Sequence, residues 1–84
     1  MIRIFGNSRC TWCNKAKKLA EDYNLKFEWV DTDSPEKLKE LKTLLPEVRN
    51  IPQIWWGNRH IGGYEGLVTE IQNSVGGYGE GKLS

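Results

Sequence analysis

Near the N-terminus the spacing of the apolar residues changes once, and the change falls on a pair of cysteines. Ile2 to Phe5 is a short β-rich run that stops at Gly6-Asn7-Ser8. From Thr11 onward Ala16, Leu19, Ala20 and Tyr23 recur at i, i+3, i+4 and i+7, with Lys and Glu filling the gaps. The first pattern predicts a strand and the second an amphipathic helix of about three turns, ending near Asn24. Cys10-Thr11-Trp12-Cys13 therefore lies where a strand gives way to a helix.

The rest of the chain repeats the alternation. Phe27 to Val30 reads as a strand, closed by Asp31-Thr32-Asp33. Ser34-Pro35-Glu36 supplies an N-cap, a proline at the first helical position and an early acid. Leu38, Leu41 and Leu45 mark the buried stripe of this second helix, and Pro46 ends it. Ile51 to Trp56 and Arg59 to Ile61 flank Gly57-Asn58, a two-residue hairpin turn. Gly62-Gly63 breaks the second of these strands, after which Leu67, Val68, Ile71 and Val75 outline a last helix.

The order is thus β-α-β-α-β-β-α. A right-handed β-α-β crossover makes a parallel pair, and the hairpin adds two antiparallel strands. The expected fold class is α/β: a four-stranded mixed sheet with helices on both faces, the smallest thioredoxin-like arrangement. At 84 residues the chain has room for one domain, expected over 1–75. The glycine-rich residues 76–84 are expected to form a flexible tail.

A cysteine at the start of a helix meets unpaired backbone N–H groups and the positive end of the helix dipole. Such positions favour a reactive thiolate. Cys10 comes first and is expected to be the exposed nucleophile, with Cys13 one turn in and behind it. Thr11 supplies a backbone N–H toward the Cys10 sulfur, and Arg9 places positive charge beside it. A disulfide spanning so few residues constrains the unfolded chain little, so a purely structural staple is disfavoured. A closed zinc site needs four ligands, and beyond the two cysteines only His60 remains as a soft ligand. No metal site is expected. Thiol–disulfide exchange is the chemistry left.

Four segments together resemble a glutaredoxin. They are Phe5 to Cys13, Ala16-Lys17-Lys18-Leu19, Ile51-Pro52-Gln53-Ile54 and His60-Ile61-Gly62-Gly63-Tyr64. The resemblance covers about residues 1–75. It implies a cis peptide bond before Pro52, close to the cysteines, and a backbone pairing between Ile51 and glutathione. It also implies that the N–H groups opening the last helix receive the γ-glutamyl carboxylate. The residues it assigns to glutathione are Arg9, Thr11, Trp12, Ile51, Pro52, Gly63, Tyr64 and Glu65, beside catalytic Cys10 and Cys13. The chain departs from the family at Thr11-Trp12, where Pro-Tyr is common. It departs again at Glu65-Gly66, where Thr or Ser followed by Asp is common; Glu65 is expected to take over the contact to the γ-glutamyl ammonium.

The implied function is a glutathione-dependent oxidoreductase that reduces protein disulfides and glutathione mixed disulfides, ribonucleotide reductase among its targets. Glutathione is then the reducing co-substrate, with no tightly bound cofactor. Two alternatives stand beside it. One is a redoxin recharged by thioredoxin reductase; the other is a module holding a [2Fe–2S] cluster with the help of glutathione. The formal net charge of +1 and the lack of a dense basic run argue against a nucleic-acid partner. No apolar stretch approaches the length of a membrane span, and the start of the chain turns polar too early for a signal peptide. A cytoplasmic monomer is the expectation.

Overall fold

The computed structural model describes residues 1–73. Val75 and the glycine-rich segment lie outside the described residues. The elements are β1 (Ile2–Gly6), α1 (Thr11–Asp22), β2 (Phe27–Asp31), α2 (Pro35–Leu44), β3 (Gln53–Trp56), β4 (Arg59–Gly62) and α3 (Tyr64–Ile71). The sheet order is β2-β1-β3-β4, with β1 parallel to β2 and antiparallel to β3, and β3 antiparallel to β4. This is the expected order and the expected mixed sheet.

The period of two in β1 divides the core. Ile2 and Ile4 turn to one face, where Ala16 of α1, Ile54 of β3 and Leu67 and Ile71 of α3 close around them. Phe5 turns to the other, against Val30 of β2 and Leu41 of α2. Helices therefore cover both faces, and β1, in the middle, is buried from both sides. Full burial of each such side chain stabilises the fold by about 1.5–3 kcal/mol. Arg3 on the α2 side ties the layers at their rim: it bonds Glu40 of α2 at 2.8 Å and lies 3.3 Å from Glu28 of β2. Its guanidinium holds the Glu40 carboxyl below the usual carboxylate range.

Two boundaries differ from the periodicity, and one expected cap bonds differently. Tyr23 does not extend the buried stripe of α1; it is the C-cap residue and is exposed. Ser34 caps α2 with its backbone, whose carbonyl accepts from the Leu38 N–H at 2.9 Å, and its side chain makes no cap bond. The third strand begins at Gln53, not Ile51, because Pro52 has no N–H to give to the ladder.

The candidate active site

The chain leaves β1 at Gly6 and reaches α1 through Asn7 to Cys10. Asn7 organises this loop: its carbonyl accepts from the Cys10 N–H at 3.2 Å, and its Oδ1 accepts from the Arg9 N–H at 2.9 Å. The Asn14 side chain donates to the Ser8 carbonyl at 2.9 Å and closes the loop onto the helix. Cys10 is then the N-cap residue of α1, in extended backbone geometry. Its sulfur takes the part that a Ser or Asp oxygen usually plays, accepting from the Cys13 N–H at 3.2 Å. The amide that reaches the sulfur is thus Cys13's rather than that of Thr11, because an N-cap side chain folds back toward the third helical position.

Cys10 is half-buried and Cys13 fully buried. Burial first, and then the hydrogen bond with Cys10, push the Cys13 thiol up to about 12. The backbone of Asn7 pulls weakly the other way. Cys13 occupies space that no side chain fills at position 6: a Cβ on Gly6 would stand 2.6 Å from the Cys13 Sγ and 2.8 Å from its Cβ. Sequence reading missed this role of Gly6, since nothing in its neighbours signals a close approach from a residue seven positions on.

The Ile51–Pro52 peptide bond is cis, as the resemblance implied. The Ile51 carbonyl lies over Cys10, whose thiol points to it at 3.8 Å. Beside it runs a groove of about 450 Å³ whose walls include Trp12, Ile51, Pro52, Gly63, Tyr64 and Glu65. Trp12 is 52% exposed, its ring 5.3 Å from that of Tyr64 and capped by the Lys15 ammonium at 4.5 Å. Glu65 lies in the first turn of α3, next to the Gly63 N-cap. Asn50 and Gly66 also line the groove, and neither was among the residues assigned to glutathione from the sequence. Gly66 is there for space, because a Cβ would overlap the carbonyl oxygen of Ile61 and lift α3 off β4.

Arg9 and Thr11 stand outside this groove. The Arg9 guanidinium swings to Asp33, at 2.7 Å, and that carboxylate offsets its charge. Thr11 is exposed at the first helical position. A second groove, of about 340 Å³, shares Asn50 and Ile51 with the first and has Asn7, Asp33, Lys42 and Arg49 in its walls. Among the described residues no cluster of three or more His, Cys, Asp or Glu is placed to hold a metal ion, and no helix is long and apolar enough to cross a membrane. The site therefore offers one accessible sulfur, one buried sulfur behind it, and a groove with an acidic end.

The glutaredoxin family profile matches residues 2–61. Glutaredoxin 1 of Escherichia coli is 32% identical over 80 residues, covering 86% of this chain and 93% of that protein. The solved structure of reduced Escherichia coli glutaredoxin superposes with a TM-score of 0.73 at 28% identity, over 89% of this chain and 96% of the other. A buckwheat glutaredoxin–glutathione complex shares the fold, with a TM-score of 0.69 at 22% identity, over 87% of this chain and 68% of that one.

Proposed function

Because the chain belongs to the glutaredoxin family of thiol–disulfide oxidoreductases, we propose that it uses glutathione to reduce protein disulfides and glutathione mixed disulfides through Cys10 and Cys13. The observation that carries this reading is the placement of the Cys10 sulfur under the carbonyl of Ile51, a residue that itself walls the groove bounded by Trp12, Tyr64 and Glu65. An extended thiol tripeptide would pair with the Ile51 backbone as a short added strand. Its γ-glutamyl end would lie at Glu65 and the opening N–H groups of α3. The buckwheat relative, solved with glutathione, supports the choice of ligand.

With a glutathione mixed disulfide, the Cys10 thiolate attacks the glutathione sulfur. The Cys10–glutathione bond forms, the original S–S bond breaks, and the target leaves as a thiolate that takes up a proton. A second glutathione thiolate then attacks the bound glutathione sulfur. Oxidised glutathione leaves, and the Cys10 thiolate is restored. With a protein disulfide, the Cys10 thiolate attacks one target sulfur: the Cys10–target bond forms, the target S–S bond breaks, and the other target sulfur leaves as a thiolate that takes up a proton. Cys13 then loses its proton, attacks the Cys10 sulfur and expels the target thiolate, leaving a Cys10–Cys13 disulfide for two glutathiones to reduce. Burial, which pushes the Cys13 thiol up to about 12, supports an order in which Cys10 leads and Cys13 follows.

The same reading makes the protein a cytoplasmic monomer acting on disulfide-bearing proteins, ribonucleotide reductase among them, with no resident cofactor. A coupled NADPH assay tests it. Turnover with glutathione and glutathione reductase is the expected result, and turnover with thioredoxin reductase alone would replace this reading with the alternative redoxin.

A further inference from the structure

His60 has no part in the exchange chemistry, yet it is linked to the segment that receives the substrate. It lies exposed on β4 opposite Trp55, with its ring 4.6 Å from the Trp55 ring. Its Nε2 stands 2.8 Å from Oε1 of Gln53. The Gln53 Nε2 donates both to the carbonyl and to the Oδ1 of Asn50, each at 3.0 Å. With the Gln53 amide hydrogens directed to Asn50, its oxygen faces His60, and this contact is a hydrogen bond when the imidazole hydrogen is on Nε2. Asn50 is the residue before Ile51 and lines the groove beside the cysteines.

We propose that His60 and Gln53 are positioning residues: through Asn50 they hold the Ile51 backbone at the height over Cys10 that a bound thiol peptide needs. The proposal rests on the glutathione reading above. Three hydrogen bonds run from the edge strand to the Ile51–Pro52 turn, which otherwise enters β3 from a loop without regular structure. Trp55, packed edge-on against Phe5 at 5.3 Å, anchors the far end of this strut in the core. A peptide that pairs with Ile51 needs that backbone already in place, so loosening the strut weakens binding before it affects the chemistry.

Three variants of the full chain separate this from a general structural role. His60→Phe keeps the ring against Trp55 and removes the donor. Gln53→Glu keeps the acceptor for His60 and removes the donors to Asn50. His60→Gln restores a donor near the position of Nε2. In the free protein, the Ile51 amide resonance is expected to move in His60→Phe and Gln53→Glu and to stay in place in His60→Gln. With a glutathione mixed disulfide, KM is expected to rise roughly fivefold in the first two, the worth of one ordinary hydrogen bond, with kcat changed less than about twofold. An unmoved Ile51 resonance in both variants, or a KM that rises as much in His60→Gln as in His60→Phe, overturns the proposal. A fall in Tm with KM unchanged also overturns it, by making the contacts merely structural. If the wild-type protein itself shows no glutathione-dependent turnover, the functional reading fails, and the Ile51 resonance still decides whether the strut exists.

Discussion

The backbone N–H of Cys13 donates to the sulfur of Cys10 at 3.2 Å, while the side chain of Cys13 itself is fully buried. One residue thus meets the Cys10 sulfur twice, through its amide and through its thiol. The first contact depends on Cys10 being the helix N-cap, and the second on the missing side chain at Gly6.

Gly6→Ala is expected to disturb the second contact. Its Cβ would meet the Cys13 Sγ and Cβ inside contact distance, and overpacking of this kind costs about 1–3 kcal/mol. Protein-disulfide reduction, which needs Cys13 to reach Cys10, is expected to fall more than glutathionyl exchange, which does not. Parallel assays of the two reactions check this, alongside a denaturation curve. Equal losses in both reactions would mean that the alanine only unfolds the start of α1.

The Cys13 thiol, raised from an ordinary value of 9.0 to about 12, also makes stability depend on pH. The folded chain holds this proton more tightly than the unfolded chain does. Its contribution to stability is therefore complete below about pH 9 and is lost as pH climbs toward about 12. Urea midpoints at about pH 8 and about pH 10.5 are expected to drop more for the wild type than for Cys13→Ala. Parallel drops would place the Cys13 proton loss elsewhere.

Glu65→Gln tests the acidic end of the groove. If Glu65 meets the γ-glutamyl ammonium, losing its charge weakens glutathione binding roughly three- to tenfold, the range of a partly solvated charge-assisted hydrogen bond, and leaves Tm nearly unchanged. An acid that only favours the N-terminus of α3 contributes about 0.3–1 kcal/mol to stability. In that case calorimetry finds wild-type affinity and a small fall in Tm.

The fold was legible because the period of the apolar residues switches cleanly between two and 3.6, from Ile2 and Ile4 through to Leu67 and Ile71. The pairing of Ile51-Pro52 with the cysteines was legible only through resemblance, since nothing local in those residues says what they face. What escaped depends on tertiary approach. Gly6 and Gly66 look like loop or helix-start glycines until Cys13 and the Ile61 carbonyl occupy the space beside them. Arg9 read as a cation for the nucleophile because its counterion, Asp33, is 24 positions away. Thr11 read as the donor to Cys10 because it restores an N–H where the family commonly has Pro, whereas the N-cap geometry selects the amide of Cys13.

The division of labour between the two sulfurs is the centre of this account, and a pair of serine variants tests it most directly. Each is assayed on a glutathione mixed disulfide and on a protein disulfide, with the adduct on the remaining cysteine read by mass spectrometry. Cys10→Ser is expected to be inactive on both substrates and to carry no glutathione on Cys13. Cys13→Ser is expected to keep glutathionyl exchange, lose most protein-disulfide reduction and accumulate glutathione on Cys10. An active Cys10→Ser beside an inactive Cys13→Ser, with glutathione found on Cys13, would contradict the assignment of the half-buried Cys10 sulfur as the nucleophile.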